Sequence, residues 1–159
     1  VWNVNDSVEC AVDQIENVLF STVQVSVLLD RVPEKHISAL KFWLDFMRRE
    51  NHLLTEVPLY AEAPQMLYPQ VSAIEDGRGV IAGYLSGYCV KLPASKLKEC
   101  YVVNANSGNE LMLKADSAAD WNIEVMDCTG AHVRTERVSI SGITAISVPA
   151  YGLIHMTRE

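Results

Sequence analysis

Basic residues are in short supply: 13 Lys and Arg stand against 20 Asp and Glu, a formal charge of -7. That balance leaves no electrostatic footprint for a polyanion, so nucleic acid is excluded as a partner. Long apolar runs are missing too. None approaches the ~18 residues of a membrane-crossing helix, and no membrane partner is expected. Cysteine is sparse and scattered, at Cys10, Cys89, Cys100 and Cys128, with no CxxC pair of the zinc or thioredoxin type. The four read as free, mostly buried thiols, which favours a reducing, cytoplasmic compartment over a periplasmic or secreted one. His36, His52, His132 and His155 show no HxH or HExxH spacing and no cysteine nearby, so no metal and no cofactor is expected. No glycine-rich turn joins a strand to a helix; DGRG, Asp76 to Gly79, lies between two β segments and makes no phosphate cradle. Repeats and low-complexity linkers are absent. Val1 stands first instead of Met and no leader pattern is read, so a processed or excised piece is expected.

What is present is a chain of 159 residues, 49% hydrophobic and 21% charged, within the range of soluble globular domains. Residues Asp6 to Phe20 place Val8, Ala11, Val12, Ile15, Val18 and Leu19 at helical spacing, with Asn5 or Asp6 as cap. Val23 to Leu29 follows as a β-branched run apolar on both faces, the pattern of a strand in a parallel sheet. A second helix is expected from Pro33 to Glu50, closed by Arg48 and Arg49 at the negative end of its dipole. Its apolar residues, Ile37, Leu40, Trp43, Leu44 and Met47 among them, fill an arc of roughly 220° at about 100° per residue. One core needs only a little over ~100°, so this helix should be packed on two sides.

From Leu53 the pattern changes to short β segments: 59–63, 70–75, 80–85, 89–92, 99–105, 110–114, 121–127, 131–137, 143–148 and 152–157. Turn signals at Asp76 to Gly79, Asn106 to Asn109, Thr129-Gly130 and Ser141-Gly142 separate them. In WNIEVMD, Trp121, Ile123 and Val125 should face in while Asn122 and Glu124 face out. The expected fold is mainly β with N-terminal helices, the β part an antiparallel sandwich. A lone parallel-type strand has no partner of its own kind here, so residues 1–52 read as the end of an α/β domain and 53–159 as the β-sandwich domain.

These residues also carry a resemblance. Trp2-Asn3 ahead of the first helix, QVSVLLDRVPEKH, LKFWLDFMRREN, and Tyr68-Pro69 before VSAIE make the chain similar to the closing portion of bacterial α-galactosidase-like, melibiase-type glycoside hydrolases. Those enzymes are (β/α)8 barrels followed by a C-terminal antiparallel β-domain. The resemblance covers about residues 1–90 by pattern and the remainder by architecture. It implies that Asp6 to Phe20 is the seventh barrel helix, Val23 to Leu29 the eighth strand and Pro33 to Glu50 the eighth helix, lodged between barrel and β-domain. It further implies a parent enzyme that hydrolyses α-galactosides with retention through two aspartates, carboxyls roughly 5–5.5 Å apart. Neither aspartate motif has a match in this sequence, so no catalytic residue is assigned. The expected partners are an α-galactoside for the parent and the remainder of the barrel; without the barrel, residues 1–50 would expose apolar surface and a homo-oligomer could form.

The candidate site residues are few, and each has two readings. Asp30 follows the eighth-strand candidate, where barrel active sites open, and is a sugar-hydroxyl acceptor or a surface acid in a loop. Trp2 is the wall of a sugar site or part of a barrel core. Tyr84 and Tyr88, on one face of an extended segment, stack on a sugar or pack on the second helix. His36 reads as a packed or capping residue. The carboxylate pairs Asp116 with Asp120 and Glu75 with Asp76 read as solvated loop acids. The rival functional reading is a non-catalytic β-sandwich module that binds glycan or mediates assembly.

Overall fold

The turn Asp76-Gly77 closes a two-residue hairpin in which both residues adopt positive φ, 48° and 83°, the geometry whose twist matches the flanking strands. Gly77 is suited to it because no Cβ opposes that conformation. Its carbonyl also accepts from Lys98 N and Glu99 N, at 2.7 and 3.1 Å, which ties the next strand of the same sheet to the hairpin. The computed structural model describes residue 3, residues 5–27 and residues 29–158.

Among the described residues three α-helices precede the strands: α1 (Val8–Glu16), α2 (Glu34–Arg49) and α3 (Asn51–Thr55). The cap of α1 is Ser7 rather than Asn5 or Asp6; its Oγ accepts from Cys10 N at 3.3 Å. The helix stops at Glu16, because the bonds beyond it shift to Val18 N to Ile15 O and Leu19 N to Glu16 O, a tightened last turn. Leu19 is nonetheless fully buried. Pro33 caps α2, and α3 was not expected; the 52/53 boundary falls inside it. Between α2 and α3 the buried Glu50 carboxylate accepts from Arg78 Nη2 at 3.0 Å and Arg49 Nε at 3.2 Å, so its charge is matched.

The expected strand at Val23 to Leu29 is corrected. Residues 22–27 form no ladder, residue 28 lies outside the described residues, and Leu29–Arg31 is a 3₁₀ turn. Its β-branched composition is real, but a strand exists only where a neighbour accepts its backbone bonds, and none of the described strands runs beside it.

Ten strands follow among the described residues: β1 (Leu59–Glu62), β2 (Gln70–Glu75), β3 (Arg78–Gly83), β4 (Cys89–Leu92), β5 (Glu99–Val103), β6 (Glu110–Ala115), β7 (Ala119–Met126), β8 (His132–Ile140), β9 (Ile143–Ser147) and β10 (Leu153–Thr157). Each overlaps an expected segment, and in β7 Trp121, Ile123 and Val125 are buried while Asn122 is exposed. Seven form a sheet in the order β1-β2-β3-β5-β10-β7-β8, and three form a second, β4-β6-β9. The fold is therefore mixed, N-terminal helices and then two mostly antiparallel sheets. The pairings β3 with β5 and β4 with β6 are parallel, which strand spacing did not predict. The reason is topological: from β3 to β6 successive strands alternate between sheets, so neighbours within a sheet are two steps apart in the chain and run the same way.

Side-chain alternation then divides the interior in two. Ala73, Val80, Ala82, Tyr101, Val103 and Leu153 pack against Val12, Ile15, Ala39, Trp43 and Phe46 of the helices. On the opposite face Ile81, Val102, Trp121, Ile123 and Ile154 meet Val90, Leu111, Leu113 and Ile146 of the small sheet. The helices thus lie on the large sheet, whose other face is covered by the small one. The wide apolar arc of α2 is partly satisfied by this: Trp43 and Phe46 are buried in the helix-side core, α1 packs alongside, and Leu44 stays 37% exposed.

Candidate functional site

The four residues singled out from sequence do not converge. Trp2 lies outside the described residues. Asp30 is exposed in the 3₁₀ turn Leu29–Arg31 and makes no hydrogen bond or ion pair with any described residue. Tyr84 and Tyr88 do not share one extended face, because β3 ends at Gly83 and a turn through Gly87, at φ 75°, intervenes. Tyr84 packs into the helix-side core and donates its hydroxyl to the Glu16 carbonyl at 3.0 Å; Tyr88 packs against the inter-sheet core. Burial pushes the Tyr84 phenol far above its ordinary value. Its hydroxyl is spent on α1, and its ring belongs to the packing. His36 is buried on α2, as expected of a packed residue. Among the described residues no group of three or more His, Cys, Asp or Glu side chains converges as metal ligands, and no helix is long and apolar enough to cross a membrane. Cys100 and Cys128 are buried free thiols, each pushed up to about 12 by burial, and therefore poor nucleophiles.

Two surface features stand out instead. The first is apolar. A hollow of about 380 Å³ brings Val18 and Phe20, just beyond α1, together with Leu59, Leu67, Tyr68 and Val71. Leu67 is 89% exposed, and Leu59, Met66 and Tyr68 are exposed beside it. The loop that presents them is strained: Ala63, Leu67 and Tyr68 have φ of 47°, 59° and 56°, a conformation that costs a residue with a Cβ about 1–2 kcal/mol. Strain of this kind persists where the surroundings hold it in place, and such positions concentrate at functional contacts.

The second is a cleft of about 470 Å³ where the edge of the large sheet overhangs the small one. Pairing of β1 with β2 sets Tyr60 opposite Ser72 and Glu62 opposite Gln70. Gln70 closes the inner end by gripping the backbone of Lys91 twice: Nε2 donates to Lys91 O at 2.9 Å, and Lys91 N donates to Oε1 at 2.7 Å. Lys91 Nζ reaches Glu62 Oε2 at 2.6 Å, which raises the ammonium's pKa. Across the small sheet Lys91 is in register with Lys114 of β6. Lys96, at the end of the 3₁₀ turn Ala94–Lys96, and Asp116 complete the rim. Asp116 accepts from both the hydroxyl and the amide of Ser95, which holds its carboxyl below the usual range. Asp116 was read from sequence as a solvated loop acid; it is exposed, yet it is also fixed in place.

Sequence reasoning missed this cleft because Tyr60, Lys91 and Lys114 come from three separate strands. An available signal was Tyr60 two residues before Glu62 on a short β segment, an exposed aromatic and an acid on one face of a strand.

Comparison with family models, with characterised proteins and with solved structures finds no match.

Proposed function

We propose that the chain is the C-terminal part of an α-galactosidase-type glycoside hydrolase, whose parent cleaves terminal α-galactosides by the retaining two-aspartate route. In this reading α1 to α2 are the closing units of a (β/α)8 barrel, and the two sheets are the β-sandwich that supports it. The chain itself contributes structure and no catalytic aspartate. The observation that carries the reading is residues 22–27, a β-branched segment between two helices that no described strand pairs. A strand supplied with neighbours by the rest of a barrel has this composition and, without them, this lack of a ladder. The strained apolar loop at Leu67 supports it from the other side, since an exposed cluster of this kind beside α1 suits a covered surface.

The test is hydrolysis of an aryl α-galactoside by the polypeptide encoded in the whole reading frame, beside the 159-residue chain. Turnover with retained configuration by the former and none by the latter is expected. A whole polypeptide without barrel-sized sequence ahead of these residues, or without turnover, overturns the proposal.

A variant probes the contact directly. Leu67→Lys should leave the unfolding of the isolated chain within about 0.5 kcal/mol of wild type, because the side chain is already in solvent. In the whole polypeptide it should lower the thermal midpoint by several degrees, since a lysine would then be buried without a partner. Equal midpoints would mean that this loop faces water in the parent as well.

A further inference from the structure

We propose that the cleft beside Tyr60 binds an anionic saccharide, a sugar ring bearing a carboxylate, with the ring against Tyr60 and the carboxylate between Lys114 and Lys96. The proposal does not depend on the parentage argued above.

The charge arrangement comes first. Lys91 and Lys114 sit directly opposite one another on adjacent parallel strands, both exposed on the same face. Like charges so placed repel, and the repulsion eases where each ammonium is met by an anion. Glu62 answers only Lys91. Neither Lys114 nor Lys96 has an ion-pair or hydrogen-bond partner for its ammonium among the described residues. The two acids of the cleft are already engaged, Glu62 by Lys91 and Asp116 by Ser95. Three lysines against two carboxylates make the cleft locally basic on a chain whose formal charge is -7. The acidic surroundings disfavour a polyanion and leave room for a small singly charged ligand.

The shape selects among such ligands. Tyr60 is 62% exposed on the outermost strand, so its ring presents an uncommitted apolar face. Leu92, Pro93 and Ala115 extend that apolar floor toward the lysines. A volume of about 470 Å³ lies within the range of small-molecule sites. An aromatic face with polar groups around its rim suits a ligand that is flat and apolar on one side and hydroxylated at its edges. The second carboxylate oxygen of Glu62, which Lys91 leaves unengaged, can accept from those hydroxyls, and the ammonium of Lys114 can donate to the anion. A small inorganic anion would use the lysines and leave Tyr60 idle. A neutral sugar would use Tyr60 and leave the lysines unanswered.

The test is a titration of the 159-residue chain followed by amide chemical shifts, with galacturonate, galactose and inorganic phosphate as probes. At about 10 mM a ligand with a dissociation constant of 1 mM fills nine-tenths of the sites. Galacturonate is expected to shift residues of β1, β4 and β6 saturably, and galactose at least tenfold more weakly. Tyr60→Ala and Lys114→Ala should each weaken galacturonate about tenfold while the thermal midpoint stays put, since both side chains are in solvent. Raising the salt concentration should weaken it further. Equal binding of galactose and galacturonate would overturn the role of the lysines. Phosphate binding as tightly as galacturonate, and unaffected by Tyr60→Ala, would overturn the saccharide. No saturable shift with any probe would overturn the site.

Discussion

Replacing Trp43 by alanine is expected to destabilise the chain by about 3–5 kcal/mol, the usual range for deleting a fully buried tryptophan. Trp43 is 0% exposed and sits where the helix layer meets the large sheet. Phe42 and Phe46 meet its ring edge to face, with centroids 5.3 and 5.7 Å away, and Phe46 passes the contact on to Tyr101 of β5 at 5.1 Å. Its indole Nε1–H donates to Cys128 O at 3.0 Å, in the turn between β7 and β8. The alanine variant therefore loses apolar burial, a run of aromatic contacts and the hydrogen bond that ties α2 to that turn. Trp43→Phe separates the contributions. It keeps most of the ring and drops the donor, so it should cost less, with about 1–3 kcal/mol arising from the stranded carbonyl. Urea unfolding followed by circular dichroism reads both. A loss below 1 kcal/mol for Trp43→Ala would mean that the helices do not depend on this anchor.

Relative to Glu16→Gln, the wild-type chain should also lose stability as pH rises through the weakly acidic range. Glu16 is 1% exposed at the end of α1, and neither carboxyl oxygen meets a hydrogen-bond partner among the described residues. Burial, with the charge of Asp13 adding to it, raises its pKa well above the ordinary glutamate value. The groups around it reinforce the effect: the Tyr84 hydroxyl bonds its backbone carbonyl rather than its carboxyl, and Cys128 and Tyr151 are themselves shifted upward, in part by its charge. The sign follows from proton binding. Between the unfolded and the folded pKa the native state holds a proton that the unfolded chain has released, so raising the pH favours unfolding. The contribution is complete below the unfolded value and is lost as pH climbs through the folded one. Within that window wild type should lose about 1.4 kcal/mol per pH unit relative to Glu16→Gln, whose amide has nothing to titrate. Denaturation curves at several values between about pH 4 and pH 8 decide it. Parallel stability curves would show that Glu16 reaches water, and that α1 does not enclose it.

Much of the chain was legible one segment at a time. Val80 to Gly83, Trp121 to Val125 and Leu153 to Met156 announce strands through β-branched and aromatic residues, and Asp76-Gly77 announces its hairpin because few other pairs tolerate two positive φ values. The reach of α2 was visible in its apolar arc, and the burial of His36 in its position on that arc. What misled the reading was equally local. Val23 to Val27 has the composition of a buried strand, and composition carries no information about whether a neighbour is present. Tyr84 and Tyr88 share a parity, but the turn through Gly87 cancels it and sends the rings to different cores.

By itself, then, the sequence determined where the two longer helices and the ten strands lie and which of their faces turn inward. Those properties depend on short-range sterics and side-chain period. Only the tertiary structure decided that β3 and β5 run parallel, that Trp43 of α2 reaches the turn at Cys128, and that Tyr60, Lys91 and Lys114 line one cleft. Each of these joins residues separated by many positions, and which strands become neighbours is settled by how two sheets and a helix layer share the burial of their apolar faces.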